Sequence, residues 1–450
     1  MKPKSIYVCQ SCGSQSAKWI GRCPACNEWN TYVEEIIHSG KSNKAASHKT
    51  TTRPKNLDEI DILQLRRIKS GVDEFDRVTG GGLVTGSMIL IGGEPGIGKS
   101  TLVLQMSMQL PDIKTLYISG EESLQQLKMR AERIGKGNGQ LYFLSETSME
   151  SILNHIDNFG PDMVIVDSIQ TMTTELAESS AGSVTQIREC TNQLIQFAKT
   201  SNCPVLLIGH INKDGNLAGP KVLEHMVDTV LQFEGDQNHL YRIIRVLKNR
   251  FGPTDEMGIF EMRTTGLHPV PNPSEFLLAD REMSLSGNTV AAVIEGHRPL
   301  MLQSQALVST AAYATPQRSA TGFDQRRLAM LLAVLEKRAG FRLAVKDVFL
   351  NIVGGLKIND PAADMAIVTA ILSSDSNLPV EQNICLAGEV GLSGEFRPVT
   401  RIEQRIAESA RLGFRQVMIP YGNLKNSDFS RFDIKVEPMK HIGELYKRLF

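Results

Sequence analysis

A glycine-rich segment in the first quarter of the chain has the residue types that bind a nucleoside triphosphate. Gly93, Gly98, Lys99 and Ser100 fit Gly-x-x-x-x-Gly-Lys-Ser, after an apolar run at 88–91 that predicts a strand and before a helical pattern. Glycines let backbone N–H groups wrap around phosphates, and a helix N-terminus attracts the same negative charge. Lys99 is expected to reach the β- and γ-phosphates, and Ser100 to hold Mg²⁺. The predicted nucleotide-binding residues are Gly93, Glu94, Pro95, Gly96, Ile97, Gly98, Lys99, Ser100 and Thr101.

Two further apolar runs end in carboxylates, which the hydrolysis of a triphosphate also requires. One run ends in Asp167 and predicts a strand whose carboxyl end lies at the ligand-binding edge of a sheet. Asp167 is therefore expected to hold Mg²⁺ together with Ser100. Another run ends in Glu121 and Glu122, and only one of these neighbours can face the nucleotide. Glu121 is the predicted water-activating residue and Glu122 the alternative, unless the pair only complements a helix dipole.

A fourth strand end carries polar groups that could sense the state of the phosphate. His210 and Lys213 follow the apolar run at 205–209, and a glycine-containing loop at 214–221 comes next. This loop could line a DNA channel, or it could be an ordinary surface loop.

A basic pair ends a later strand. Lys248 and Arg250 are two residues apart, so both side chains are expected on one face of the strand. They could bind phosphate within their own subunit, complete the γ-phosphate site of a neighbour in trans, or remain solvated charges. A role in trans requires a ring or a filament, because one subunit then completes the next one's site.

Four of the seven cysteines form two Cys-x-x-Cys pairs near the N-terminus, at Cys9, Cys12, Cys23 and Cys26. In a chain without a secretory signal, such pairs predict zinc ligation rather than disulfides, although a redox pair or a chance cluster is the alternative. Four thiolates leave no position open for water, so the predicted zinc is structural. The aromatic residues expected to cover the ion are Trp19, Trp29 and Tyr32.

Composition limits the functions that the chain can have. The 450 residues are 41% hydrophobic and carry no formal net charge, so nucleic acid could be bound only through local basic surfaces. No apolar run reaches the roughly 18 residues that span a membrane. The N-terminus has no hydrophobic signal region, so we expect a cytoplasmic protein with no membrane partner. The remaining cysteines are expected to pack as small apolar residues, namely Cys190, Cys203 and Cys385.

The elements that position these residues predict an α/β fold. Short apolar runs alternate with amphipathic ones over 58–272, which is typical of a mainly parallel sheet covered by helices. The predicted strands are 87–92, 115–119, 140–144, 163–167, 205–209, 229–233 and 241–248. The predicted domains are a zinc ribbon at 1–35, a flexible basic linker at 36–57, a P-loop domain at 58–272 and another α/β domain at 273–450. In the last domain we expect helices at 324–338, 362–372 and 401–412.

Taken together, these motifs resemble those of the RadA/Sms family of bacterial DNA repair proteins over nearly the full chain. Besides the cysteines and the loop at 93–100, they are Ser-Gly-Glu-Glu-Ser at 119–123, Gly-His-Ile-Asn-Lys at 209–213, the segment 218–228, and Lys-Asn-Arg-Phe-Gly at 248–252. The resemblance implies a RecA-like ATPase that forms a hexameric ring on DNA and drives branch migration by translocation on single-stranded DNA. It implies ATP, Mg²⁺ and Zn²⁺ as cofactors. The implied partners are single-stranded and branched DNA, further copies of the chain and a RecA-type recombinase.

The C-terminal third resembles the peptidase domain of Lon proteases at 353–358, 360–364 and 387–398. Lon enzymes carry their serine in Pro-Ser-Ala-Gly, whereas Ala362 follows Pro361 here, and the Lon lysine corresponds to Glu403. Alanine cannot be acylated, and a glutamate cannot replace a desolvated lysine base. We therefore expect a Lon-like α/β domain without the catalytic dyad, which acts as an assembly and DNA-contacting scaffold.

The first hypothesis is a DNA-dependent ATPase of homologous recombination. The alternatives are a replicative-type helicase, an ATP-dependent protease, and an ATP-gated DNA clamp or loader without motor activity. The N-terminal ribbon and the protease-like tail argue against the helicase, and Ala362 and Glu403 argue against the protease. ATP hydrolysis that DNA does not stimulate would favour the clamp.

Overall fold

The computed structural model describes residues 4–10, 13–37, 56, 66–137, 139–210, 221–235, 241–278, 285–311, 315–354, 356–425 and 428–450. The chain divides into two compact units, Met1–Pro269 and Val270–Phe450. Among the described residues, no helix is long and apolar enough to cross a membrane.

The first unit begins with a small antiparallel sheet that contains the cysteine pairs. Its strands are β1 (Lys4–Cys9), β2 (Gln15–Ser16) and β3 (Tyr32–Ile37), with β1 in the centre. The last strand runs two residues past the predicted end of the ribbon. Most of the predicted linker, 38–55, lies outside the described residues.

After a short ladder of β4 (Arg67–Ile68) and β5 (Leu83–Val84), a nine-stranded sheet dominates the first unit. Its strands are β6 (Met88–Gly93), β7 (Thr115–Ser119), β8 (Leu141–Ser145), β9 (Met163–Asp167), β10 (Val205–His210), β11 (Thr229–Glu234), β12 (Tyr241–Asn249), β13 (Met257–Arg263) and β14 (Gly266–Pro269). The order is β14-β13-β12-β11-β6-β10-β9-β7-β8, parallel from β11 to β8 and antiparallel from β11 to β14. The α/β class and the mainly parallel sheet are confirmed, whereas β13 and β14 were not predicted.

Helices cover both faces of this sheet because the residues of its central strand alternate between two cores. Met88 and Leu90 join one apolar cluster, and Ile89 and Ile91 join the other. Ser123, Ser148 and Ser183 each cap a helix N-terminus through the side chain. The helices are α1 (Asp73–Val78), α2 (Lys99–Met108), α3 (Leu124–Ile134), α4 (Met149–Phe159), α5 (Val184–Ser201) and α6 (Lys221–Met226).

The second unit is built on a seven-stranded mixed sheet. In chain order its strands are β15 (Asn288–Glu295), β16 (Arg298–Thr310), β17 (Arg318–Thr321), β18 (Lys346–Ile352) and β19 (Ile384–Leu386), followed after the ladder of β20 (Glu389–Val390) and β21 (Phe396–Arg397) by β22 (Gln416–Pro420) and β23 (Lys435–Met439). The helices are α7 (Pro273–Leu277), α8 (Gln325–Ala339), α9 (Asp364–Ser376), α10 (Ile402–Arg411) and α11 (Ile442–Leu449). All three helices predicted from the sequence are present.

Two ion pairs among the described residues of the second unit each hold a buried charge, that of Asp364 in one and that of Arg405 in the other. The carboxylate of Asp364, at the start of α9, accepts hydrogen bonds from Nε and Nη2 of Arg327 at 2.7 and 2.5 Å. Arg405 of α10 is 1% exposed in its side chain and donates to Asp360 at 2.6 Å. Each buried charge therefore has a partner, as burial in a medium of low dielectric constant requires.

Candidate nucleotide and zinc sites

The carboxyl ends of four neighbouring parallel strands meet at one edge of the nine-stranded sheet. Gly93 of β6 is in register with His210 of β10, and Asp167 of β9 is in register with Ser119 of β7. The backbone N–H of Gly120 donates to the carbonyl of Asp167 at 3.0 Å. The strand ends that the sequence singled out are thus brought together in space.

The loop between β6 and α2 has the backbone form that a phosphate cradle needs. Gly96 and Gly98 have φ angles of 76° and 118°, a region that side chains with a Cβ rarely adopt. A Cβ on Gly98 would lie 2.7 Å from Cε of Met262, and one on Gly93 would lie 2.8 Å from Cβ of Phe233. Glycine is therefore required at these positions, and the loop opens at the N-terminus of α2, where phosphate is favoured.

Lys99 is buried and its ammonium group is held above the loop. Its Nζ lies 2.7 Å from the carbonyl oxygen of Gly93, 2.8 Å from that of Glu94 and 3.3 Å from Nδ1 of His210. Burial lowers the pKa of Lys99 to about 8, although nearby carboxylates oppose the shift. A bound triphosphate would supply the opposite charge that this ammonium group lacks.

Asp167 is oriented by a buried tyrosine. The hydroxyl of Tyr117 donates to Oδ2 of Asp167 at 2.5 Å. Burial, with the adjacent carboxylate, raises the pKa of Tyr117 well above its usual value, so the tyrosine remains a donor. Asp167 and Ser100 line the same cavity, and hydroxyl and carboxylate oxygens are ligands that Mg²⁺ prefers. These two residues therefore fit a magnesium ion bound with the nucleotide.

Glu121 and Glu122 have different surroundings. Oε1 of Glu121 accepts from Oγ of Ser168 at 2.6 Å and lies 3.3 Å from Nε2 of His210. Glu122 pairs with Arg130, and burial raises the pKa of its carboxyl. His210 thus stands between Lys99 on one side and Glu121 on the other, which links Glu121 to the loop. Of the two carboxylates, Glu121 is the better placed to act on a triphosphate.

A cavity of about 510 Å³ joins these groups. The predicted residues that line it are Pro95, Gly96, Gly98, Lys99, Ser100, Thr101, Glu121, its alternative Glu122, Asp167 and His210. Of the other predicted residues of the loop, Gly93 and Glu94 offer their carbonyls to Lys99, and Ile97 is buried beneath it.

Sequence reasoning missed several residues that line this cavity, namely Arg130, Arg133, Arg242 and Met262. The buried Arg242 donates through Nε to the carbonyl of Ile97 at 3.0 Å and so supports the loop. The sequence did not distinguish it, because the same strand also carries Arg245 and Lys248 and only Arg242 of the three is buried. Met262 had no signal either, since it belongs to a strand that was not predicted.

The basic pair lies outside this cavity. Nζ of Lys248 donates to the carbonyls of Glu224, His225 and Val227 at 2.8, 3.2 and 2.7 Å, around the C-terminal end of α6. Burial and the neighbouring Arg250 lower the pKa of this ammonium group. Lys248 therefore serves its own chain here as a cation at a helix C-terminus.

Arg250 is more available than Lys248. Its side chain is 54% exposed, and Nη1 lies 3.4 Å from Oδ1 of Asp228. The other oxygen of Asp228 accepts from the backbone N–H of Met88 at 3.1 Å, at the start of β6. The arginine is thus tied through one carboxylate to the strand that carries the phosphate loop. Lys213 and most of the loop at 214–221 lie outside the described residues.

Three of the predicted zinc ligands converge. The sulfurs of Cys9, Cys23 and Cys26 all lie within 4.8 Å of one another, and Cys12 is outside the described residues. Sulfurs about 2.3 Å from a tetrahedral zinc lie about 3.8 Å apart. Sγ of Cys9 and Sγ of Cys26 are 3.7 Å apart, so this spacing fits the ion. Tight turns that return to the carbonyls of Cys9 and Cys23 aim the sulfurs inward.

The three aromatic residues expected to cover the zinc site differ in burial. Trp19 is 54% exposed and Trp29 is 66% exposed, whereas Tyr32 is buried against the cysteines. Nε1 of Trp19 donates to the carbonyl of Tyr32 at 3.2 Å, which holds the ring at the surface. The prediction for the other cysteines is confirmed, since Cys190, Cys203 and Cys385 are buried.

The phosphate loop, the carboxylates at the sheet edge and the cysteine cluster define an ATP-hydrolysing P-loop protein with a zinc ribbon. Family models agree along the chain. Residues 7–34 match "Rubredoxin metal binding domain", 52–216 match "AAA domain" and 305–423 match "Subunit ChlI of Mg-chelatase".

Full-length relatives define the family. The chain is 50% identical to the DNA repair protein RadA of Bacillus subtilis (strain 168), over 94% of each chain. It is 47% identical to the protein of that name from Listeria monocytogenes, over 99% of this chain and 98% of the relative. The chain therefore belongs to the RadA family of DNA repair proteins. A KaiC-like protein from Pyrococcus horikoshii OT3 is 19% identical, with a TM-score of 0.39 over 46% of this chain and all of that one.

Proposed function

We propose that this chain is a DNA-dependent ATPase of homologous recombination, which drives branch migration as a hexameric ring translocating on single-stranded DNA. The name of its relatives and the geometry of the nucleotide cavity support the proposal. The observation that carries it is a chain of two contacts across the phosphate loop. Nδ1 of His210 lies 3.3 Å from Nζ of Lys99, and Nε2 of His210 lies 3.3 Å from Oε1 of Glu121. Single-stranded and branched DNA, a RecA-type recombinase and a cytoplasmic location belong to the same proposal.

In this proposal, the residues at the sheet edge divide the hydrolytic reaction between them. Backbone N–H groups of the loop at 93–98, where only Pro95 has none, and the ammonium group of Lys99 bind the phosphates, and Ser100 and Asp167 hold magnesium. Magnesium, when bound, neutralises charge on the β- and γ-phosphates. Glu121 orients a water molecule for in-line attack on the γ-phosphate and accepts its proton.

His210 couples the nucleotide to the rest of the protein. When Lys99 turns from the carbonyls of Gly93 and Glu94 to a triphosphate, its 3.3 Å contact with His210 must change. His210 is the last residue of β10, and the loop at 214–221, which could line a DNA channel, begins four residues later in the sequence. This connection gives a physical path by which phosphate state and DNA contact influence each other.

We propose Arg250 as the arginine finger that reaches the γ-phosphate of the adjacent subunit. Its side chain is more than half exposed and has one carboxylate contact at 3.4 Å. Lys248 would first have to leave three carbonyl oxygens, so its proposed part in catalysis requires its side chain to turn away from the end of α6. We therefore expect Lys248 to connect α6 to the site rather than to act as a free cation.

The C-terminal unit is proposed to be a scaffold without peptidase activity. Ala362 is buried, and Glu403 is exposed and paired with Arg431. The buried cation of α10 is instead Arg405, which binds Asp360 next to the turn that carries Ala362. Arginine keeps its proton in proteins, so Arg405 cannot activate a nucleophile either. The predicted domain ranges, with 273–450 as this scaffold, remain part of the proposal.

The proposal is tested by ATP turnover with increasing single-stranded DNA and by branch migration on a synthetic junction. We expect DNA to raise the turnover, and Lys99→Ala to abolish both activities while the protein stays folded. Equal turnover with and without DNA would favour a clamp or loader. Unwinding of simple forks without junction movement would favour a replicative-type helicase. Casein hydrolysis would revive the protease.

The trans role of Arg250 is tested by mixing two inactive variants. Arg250→Ala keeps an intact phosphate loop, and Lys99→Ala keeps an intact finger. Mixed rings should regain part of the turnover, because an Arg250→Ala site can receive the finger of a Lys99→Ala neighbour. No recovery at any ratio, with assembly shown by light scattering, would contradict a finger in trans.

A further inference from the structure

An arginine near the start of the P-loop domain contacts the loop that carries Arg250. Nη2 of Arg67, in β4, donates to the carbonyl of Phe251 at 2.6 Å, although 184 positions separate the two residues. Nη1 of the same guanidinium group donates to the carbonyls of Gly82 at 3.1 Å and of Thr79 at 3.4 Å. Arg67 therefore bridges two backbone segments, the loop that follows β12 and the turn that follows α1.

The turn after α1 can offer these carbonyls because it contains three consecutive glycines. Gly80, Gly81 and Gly82 have φ angles of 81°, 116° and 113°, which residues with a Cβ rarely adopt. The carbonyls at the end of a helix have no partner within it, and a cation is favoured there. Among the described residues no carboxylate pairs with Arg67, so its donors are directed to these backbone oxygens.

The loop after β12 is held by a second side chain as well. Nδ2 of the buried Asn249 donates to the carbonyl of Thr79 at 3.2 Å, and its Oδ1 accepts from the backbone N–H of Phe251 at 3.1 Å. A Cβ on Gly252 would lie 2.9 Å from Nδ2 of Asn249, so the loop keeps this form only with glycine there. The backbone is thus fixed on both sides of Arg250, whereas the side chain of Arg250 is 54% exposed.

A fixed backbone is what a finger that acts on another subunit requires. The side chain of Arg250 has one carboxylate contact, at 3.4 Å from Oδ1 of Asp228, so its own surroundings constrain it little. A catalytic group that is misplaced by about 1 Å can lose about 10²-fold in rate. The orientation of the finger therefore depends on the loop, and the loop depends on the bridge made by Arg67.

We propose that Arg67 is a positioning residue for ATP hydrolysis in the adjacent subunit, because it holds the loop that presents Arg250. Arg67 is not among the described residues that line the nucleotide cavity of its own subunit. Its effect therefore reaches the neighbouring site through the finger and leaves its own phosphate loop intact. This inference rests on the proposed function, since it requires Arg250 to act in trans.

ATP turnover at saturating single-stranded DNA, together with calorimetry of MgATP binding, tests this role in the full chain. Arg67→Ala is expected to lower kcat about 10- to 100-fold and to leave the Kd for MgATP within about twofold, because the finger is misplaced while the phosphate loop is intact. Arg67→Gln can donate to one carbonyl but cannot bridge two, so it should also lose turnover, and it replaces the alanine variant if that does not assemble. Arg66→Ala is the matched control, because Arg66 is an exposed neighbour whose side chain contacts no described residue by hydrogen bond or ion pair.

Mixed rings show in which subunit Arg67 acts. Lys99→Ala subunits have an intact finger, so they should restore part of the turnover of Arg67→Ala subunits. Arg250→Ala subunits have no finger to lend and should restore none. Within one chain, Arg67→Ala combined with Arg250→Ala should be no slower than Arg250→Ala alone, because both changes disable the same finger.

Four results would overturn the inference: wild-type kcat in Arg67→Ala, no recovery of Arg67→Ala by Lys99→Ala, losses that multiply in the double variant, or failure of both Arg67 variants to assemble in light scattering. The last three would mean that Arg67 supports the fold of its own subunit. The mixture of Arg250→Ala with Lys99→Ala separates this failure from that of the proposed function. If that mixture recovers turnover and the Arg67→Ala mixture does not, only the positioning role is wrong. If neither recovers, the finger in trans is itself wrong.

Discussion

Replacing Glu121 by glutamine should remove most of the turnover while nucleotide binding is retained. The amide has the shape of the carboxylate and can still accept the hydrogen bond from Ser168, now 2.6 Å from Oε1, but it cannot take a proton from water. A positioned general base contributes about 10²- to 10⁴-fold to a rate, so kcat should fall by about that factor. Binding of ATP should hold or tighten, because one negative charge near the triphosphate is removed.

The matched control is Glu122→Gln. This carboxylate is paired with Arg130, and its Oε2 is buried with no hydrogen-bond partner among the described residues. A partly exposed ion pair contributes about 1 kcal/mol or less, so kcat should fall by less than about tenfold. Single-turnover hydrolysis with saturating DNA measures the chemical step in both variants. A larger loss in Glu122→Gln than in Glu121→Gln would refute the assignment and transfer the role to the neighbour.

Three other predictions concern charge, metal and packing. Because the pKa of Lys99 is lowered to about 8, the free protein loses this proton as the pH rises above 8. The Kd for MgATP, measured by calorimetry, should then rise about tenfold per pH unit up to pH ~9.5. In Lys99→Arg, whose side chain keeps its charge, the Kd should not change over this range. Cys26→Ala should release zinc to a colorimetric chelator and leave basal ATP turnover within about twofold, since the ion is structural. Arg327→Ala leaves Asp364 buried without its arginine, so the free energy of unfolding of the C-terminal unit should fall by about 3–5 kcal/mol in denaturant, and adding Asp364→Asn should restore part of it.

Much of the candidate site could be predicted because its signals are local. The phosphate loop is a contiguous segment, and its neighbours Asp167 and Glu121 follow apolar runs whose carboxyl ends meet in a parallel sheet. Cys9, Cys23 and Cys26 were recognised from spacing in the same way. The burial of Tyr32 and the exposure of Trp19 and Trp29 could not be predicted, because nearness to cysteines in sequence does not decide which ring packs against them.

The fold class, the phosphate loop, the cysteine pairs and the carboxylates at strand ends could be predicted from the sequence, because each depends on spacing along one strand, loop or turn. Three contacts appear only in the folded chain: Tyr117 orients Asp167, Arg242 supports the loop, and Lys248 binds the end of α6. The partners in these contacts come from different elements. Strand order and helix packing decide which of these elements come into contact. Two residues that are far apart in the chain can therefore interact without any recognisable spacing between them in the sequence.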